Sequence, residues 1–360
     1  MRVNSSNQIY LDMNFLLGLL LHAIGGFASG SFLIPFKKVK DWAWESYWLV
    51  SGVAAWIIMP WLIAYLTIPD LFSLLRDAPN TTILWSIVFG LLWGLGSVTF
   101  GLSMRYLGFS LGFSITLGLC AVLGTLVPPI FNGTFYELFK SKAGLTTLAG
   151  VFICVLGIGV CGWAGILKEK SLSTAQKKET IKEFNFSKGF LVALFSGTLS
   201  SCFAFGLNAG KPLAQLAVNR GVPELWQNNA VLILVLMGGF VTNIIWCIIL
   251  NFKNKTGGDY RKKIGFQLKN YFFSSLAGII WYLQFMFYGM GSTRMGTYDF
   301  ASWSIHMAFV ITFSNLWGLY FNEWKGSDKR TMNTIITGII IVIISTLVIG
   351  VGSYLNVKEQ

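Results

Sequence analysis

The chain has 360 residues, 54% of them hydrophobic and 12% charged, with a formal net charge of +12. A soluble domain carries about 25% charged residues, so this composition excludes an ordinary water-soluble domain, and the same numbers exclude disorder, collagen and coiled coil. The positive charge sits in short loops between apolar blocks, which points to a membrane and not to nucleic acid.

The apolar blocks run, in chain order, over 14–34, 47–66, 83–104, 110–130 and 145–167. A basic connection covers 168–188. Further blocks follow at 189–209, 227–250, 272–291, 298–321 and 333–354. Each is about 20 residues, the length that crosses a bilayer core as a helix. None alternates apolar and polar residues in the manner of a barrel strand. The first block lacks the basic start and A-x-A site of a cleavable signal, so it reads as a span. The expected fold is an all-α polytopic membrane protein with about ten transmembrane helices. Cys120, Cys154, Cys161, Cys202 and Cys247 all fall inside apolar blocks with no metal spacing, and read as small buried hydrophobes. No metal site and no cofactor is expected.

Most of the 27 Lys and Arg residues lie in loops that follow odd-numbered blocks, including Lys37, Lys38 and Lys40, the 168–188 connection, and the stretch from Lys253 to Lys269. The positive-inside rule places those loops in the cytoplasm and both termini outside. A faint internal repeat accompanies this. Shifting the chain by 188 positions sets Gly90 on Gly278, Trp93 on Trp281, Gly150 on Gly338 and Gly162 on Gly350. A separate match sets Gly26, Ser29 and Phe32 against Gly197, Ser200 and Phe203. A repeat of five helices has an odd count, so the second copy enters the membrane inverted, a plan common among secondary transporters. The halves are 1–167 and 189–360, joined by the basic linker 168–188.

Ionisable groups inside spans are costly and usually functional. His22 and His306 both lie inside expected spans, and Asp299 stands near the start of the ninth. Seven residues separate Asp299 from His306, which on one helix sets them on nearly the same face two turns apart. Asp299, His306 and His22 are the candidates for proton coupling. The alternatives are a helix cap or an Arg294 ion pair for Asp299, and a carbonyl-bonded structural role for each histidine. Arg105 reads as an anchor on the cytoplasmic side, and Glu45 and Glu323 read as interfacial. Trp281, Gln284 and Tyr288 share a face of the eighth span. With Asn208, Tyr298 and Trp303 they are the candidates for binding a substrate, since amides suit hydroxyls and aromatic faces suit the C–H face of a sugar ring. No Walker A, GxGxxG, HExxH or GxSxG motif is present, and no nucleotide-binding domain. Paired interfacial acids and large polar loops, which a membrane glycosyl transferase would need, are also missing. The chain is read as a carrier and not as an enzyme.

Specific strings carry a resemblance. Pro35-Phe36-Lys37-Lys38-Val39-Lys40 with Trp42 and Trp44-Glu45 resembles the first cytoplasmic loop of the bacterial L-rhamnose–proton symporters. Gly101-Leu102-Ser103-Met104-Arg105-Tyr106-Leu107-Gly108, Trp281-Tyr282-Leu283-Gln284-Phe285, and Tyr298-Asp299 followed by Ser302-Trp303 and His306-Met307 are similar to later segments of that family. His22 falls where the family has a histidine. The matches run in order from the first span to the ninth. The chain departs from the pattern in a longer N-terminal segment, in Leu33-Ile34 before Pro35, and in a longer linker. The resemblance implies the drug/metabolite transporter superfamily, two inverted five-helix halves, a bacterial inner membrane, and proton-coupled uptake of L-rhamnose. The expected partners are a small sugar, the proton and the lipid bilayer. The oligomeric state stays open, and a superfamily carrier for another sugar or small metabolite is the alternative.

Overall fold

The computed structural model describes residues 5–107, 109–171, 185–261, 264–321 and 324–359. Among these residues the only regular structure is helical. In a hydrocarbon core every backbone N–H and C=O must be satisfied within the segment, and the helix achieves that locally.

The principal helices are α1 (Ser5–Ser31), α2 (Trp44–Thr67), α3 (Asn80–Leu107), α4 (Phe109–Phe131) and α5 (Lys142–Ser171). The second set begins with α6, which runs over Phe186–Ser200 and resumes after Ser201 as Cys202–Ala209. It continues with α7 (Asn229–Asn254), α8 (Ile264–Ser292), α9 (Ser302–Tyr320) and α10 (Lys329–Glu359). Asn185 caps α6 by accepting a hydrogen bond from the Lys188 N–H, the usual role of an Asn at that position. Asp328 does the same for Thr331 at the start of α10, and the Thr331 bonds hold its carboxyl below the usual range. The linker expected at 168–188 lies largely outside the described residues, as does Glu323.

Eight stretches of the described chain are long and apolar enough to cross a bilayer. The fourth expected block is helical over Phe109–Phe131, but its apolar described part is the shorter Ile115–Phe131. The ninth forms α9, of 19 residues, and falls outside the eight. The reason is its position: α9 is an interior helix, with Ser302, Ser304, His306 and Thr312 all buried. Residues that face protein do not need the apolarity that residues facing lipid need. The lipid-facing side is formed by exposed side chains such as Leu16, Leu20, Phe152, Leu156 and Ile340.

α1 packs against α8 and α9, and α6 packs against α3 and α4. α5 pairs with α10 along its length, α7 lies against both α2 and α3, and α8 lies against α2. Glycines permit the closest approaches, as membrane helices require in the absence of a hydrophobic drive between helices. A Cβ at Gly150 would come within 2.8 Å of the Ile349 backbone nitrogen, and one at Gly338 within 2.8 Å of the Cys161 backbone nitrogen.

One end of the bundle is tied by buried polar groups. Asp259 accepts hydrogen bonds from the Ala43 N–H and the Ser46 hydroxyl, both at 2.8 Å. Glu45 accepts from Asn254 at 2.9 Å and Thr256 at 2.8 Å. Glu45 is 4% exposed, at the first turn of α2, and forms part of this buried clasp. The short loop before α2 folds it inward onto the end of α7. The opposite end carries partly or largely exposed pairs, including Arg220–Asp77 and Lys211–Asp299. All five cysteines are free; Cys161 is half-buried and the rest are buried.

Candidate functional site

α1 and α8 run antiparallel and in close contact, so one face of α8 reads successive residues of α1 in reverse. Trp281 meets Phe32 with ring centroids 4.5 Å apart. The Gln284 carbonyl lies 3.1 Å from a Cβ placed on Gly25, and Tyr288 meets His22 at 5.5 Å. The side chains of Trp281 and Tyr288, two of the three residues expected to share a face, therefore both meet α1, and Gln284 approaches it through its backbone carbonyl.

His22, Tyr288 and His306 form a triangle of rings at the junction of α1, α8 and α9. The imidazoles stand 6.2 Å apart, and Tyr288 lies 5.2 Å from His306. Both histidines are essentially sealed from solvent. Gly25 and Gly291 make the room: a Cβ on Gly25 would lie 3.2 Å from His306 Cε1, and one on Gly291 would lie 3.0 Å from the His22 ring. Among the described residues neither nitrogen of His22 has a hydrogen-bond partner, and His306 Nδ1 has none. Leaving such a group unpaired costs about 1–3 kcal/mol. Two imidazoles kept at that cost, side by side, suit a proton or a ligand that supplies the missing partner.

Trp303 packs against this ring group. Its indole stands at 90° to the Tyr288 ring, 5.4 Å away, and its N–H donates to the Cys120 carbonyl at 3.0 Å. Phe203 stacks on Trp303 at 5.6 Å and on Phe285 at 4.5 Å. Beyond Phe203 and Phe285 lies a second aromatic group. Trp93 touches both of them, and Trp56 touches Trp93 at 5.9 Å and Trp281 at 5.3 Å.

The other expected site residues fall elsewhere. Asp299 is not on α9 but in the 3-10 turn Gly296–Ala301 that precedes it, so the seven-residue spacing to His306 does not set the two on one helix. Its carboxylate is partly exposed and lies 3.5 Å from Lys211 Nζ. Asn208 exchanges hydrogen bonds with Asn132 at 3.2 and 3.3 Å near the same end of the bundle. The side chains of Tyr298 and Arg105 lie outside the described residues. Sequence reasoning did not single out Phe203 or Phe285 as wall residues, nor Trp56. Position within an apolar block carries no mark that separates a chamber wall from a lipid contact.

The architecture and this core define a class: a multi-pass helical membrane protein with a titratable, aromatic-walled interior. The family model for the L-rhamnose-proton symport protein matches residues 11–354, and the chain belongs to that family, a family of transporters and not of enzymes. The L-rhamnose-proton symporter of Yersinia pestis strain Pestoides F is 34% identical over 341 residues, covering 94% of this chain and 98% of the relative. That of Citrobacter koseri is 35% identical over 340 residues, covering 93% and 97%.

Proposed function

We propose that this chain imports L-rhamnose together with protons across the bacterial inner membrane by alternating access. The observation that carries the reading is the His22–Tyr288–His306 triangle: two unpaired, buried imidazoles beside an aromatic wall, in a chain of the rhamnose symport family. A titratable pair next to ring faces is what a carrier of a proton and a sugar needs. Asp299, partly exposed and paired with Lys211, serves as the acceptor at the outer mouth, and the histidines serve as the inner acceptors. Gln284 and Trp281 face the sugar in this reading, and Tyr288 and Trp303, also candidates for it, form the ring wall beside the histidines. Asn208 and Tyr298 belong to the approach to the site.

The same reading takes ten spans in two inverted halves, 1–167 and 189–360, joined by the basic linker 168–188. The packing supports it. α1 rests on α8 and α9 as α6 rests on α3 and α4, which is the relation expected when each helix is replaced by the one five places on. α5 and α10 would sit across the axis of this two-fold. Their antiparallel pairing supports an axis in the membrane plane and inverted halves. The Lys and Arg distribution sets both termini on the periplasmic face. Sugar and proton must favour each other's binding, or the gradient would not drive uptake.

Proteoliposomes test the reading. Labelled L-rhamnose should accumulate when the outside is made acidic, and a protonophore should abolish the accumulation. Uptake that ignores the gradient would reduce the protein to a facilitator. Preference for another sugar would support the alternative, a carrier of a different small metabolite in the same superfamily.

A further inference from the structure

Trp56 is the largest buried side chain of α2 and is 1% exposed. Its indole nitrogen is buried, and among the described residues it has no hydrogen-bond partner. An indole N–H is a donor only and usually finds an acceptor when buried. Trp303 shows the ordinary solution in the same molecule, with its N–H on the Cys120 carbonyl. Trp48 shows it again, donating to Asn243 at 3.1 Å. Among the described residues the buried indole nitrogens of Trp42 and Trp56 both go without such a partner, and that of Trp56 lies in an unusual piece of backbone.

Residues Val53–Ile58 form a π-helical turn inside α2. Pro60 contributes to it: a proline four residues on cannot give the Trp56 carbonyl its helical N–H. Such widened turns cost stability and occur often at functional sites. Gly52 lies beneath the indole, and a Cβ there would come within 3.0 Å of the ring. Trp56 stands between Trp93 and Trp281, the two tryptophans related by the 188-residue repeat, and within 6.3 Å of Trp48. Phe203 and Phe285 separate this indole group from the histidine triangle.

We infer that Trp56 is a substrate-binding residue: its indole N–H donates to a hydroxyl of the sugar, whose apolar C–H face meets a neighbouring indole of this group. The inference rests on the proposed sugar transport and assigns part of its specificity. The class of ligand that fits is a compact polyol ring with one apolar face. Such a ring offers the acceptor oxygen that Trp56 lacks and tolerates the aromatic walls. The histidines on the far side of Phe203 remain free to handle the proton, so sugar recognition and proton binding occupy neighbouring compartments.

The test uses the full chain in proteoliposomes with labelled L-rhamnose. Trp56→Phe keeps an aromatic ring and removes the donor. KM for L-rhamnose should rise about tenfold, while the proton-to-sugar ratio stays at the wild-type value. Trp163→Phe, at an exposed position, should leave both unchanged. Where Trp56→Phe does not fold, 3-benzothienylalanine at position 56 replaces only the N–H by sulfur and should give the same rise. An unchanged KM in the folded variant overturns the assignment, as does a changed proton ratio with KM unchanged. Failure of the wild-type protein to take up L-rhamnose would instead overturn the proposed transport.

Discussion

Gly150 packs against Ile349, and the same contact recurs with both partners shifted by 188 positions, as Gly338 against Cys161. A second pair of contacts behaves alike. Trp93 meets Phe203 at 5.3 Å, and Trp281, 188 positions after Trp93, meets Phe32, the residue matched to Phe203 in the weaker repeat. Both pairs of contacts fit the two-half reading proposed above, and they fall where glycines and tryptophans sit between touching helices.

This relation makes Gly150 and Gly338 equivalent in energy as well as in position. Adding one methyl group at either should force the α5–α10 pair apart, and overpacking of this kind costs about 1–3 kcal/mol. Gly150→Ala and Gly338→Ala should each lower the melting temperature of the purified protein by several degrees and by similar amounts. Gly101→Ala, where an added Cβ meets nothing within 4 Å, should not. Thermal unfolding in detergent followed by tryptophan fluorescence checks all three.

His22 and His306 should act as one unit. Replacing either by Asn removes a titratable group from a buried site while keeping a polar side chain. Each variant should lose at least about tenfold in gradient-driven accumulation, equivalent to about 1.4 kcal/mol of coupling. Sugar counterflow without a gradient should survive. The double variant should be no worse than either single one, and the comparison of initial rates reads this directly.

Asp299 provides a different contrast. A partly exposed ion pair is worth only about 0–1 kcal/mol to folding, so neither Asp299→Asn nor Lys211→Met should change the melting temperature by more than a degree or two. Asp299→Asn should nevertheless abolish accumulation of L-rhamnose, because the proposed function makes it the acceptor at the outer mouth. Normal coupled uptake in that variant would remove Asp299 from the mechanism.

The buried clasp at the other end should respond in the opposite way. Asp259→Ala leaves the Ala43 N–H and the Ser46 hydroxyl without an acceptor, at about 1–3 kcal/mol for each buried unpaired group. The melting temperature should fall clearly, whereas Asp77→Ala, which breaks the more exposed Arg220 pair, should move it little. In an inside-out membrane preparation, a cysteine placed at Ala43 should also label faster in Asp259→Ala than in the parent.

Much of the fold was legible because bilayer thickness and helix rise translate directly into block length. The blocks at 47–66 and 227–250 became helices close to the expected bounds for this reason. α9 was the exception in apolarity, since an interior helix is free to carry Ser, Thr and His. The site was legible in part. His22 and His306 stood out because charge-capable groups are rare in spans, and α8 showed its α1 face by simple helical spacing. Asp299 was misplaced because Gly296, at φ +59°, opens a 3-10 turn that hydropathy does not register. The inward fold of Glu45 depends on partners more than 200 residues away, Asn254 and Thr256, and no local pattern announces them.

The most direct test of the account is proton movement itself. Adding L-rhamnose to lightly buffered, de-energised right-side-out vesicles should make the medium briefly more alkaline in proportion to the sugar that enters, and the His306→Asn protein should show no such change. Sugar entry by the wild-type protein with no accompanying change in external pH would contradict proton symport.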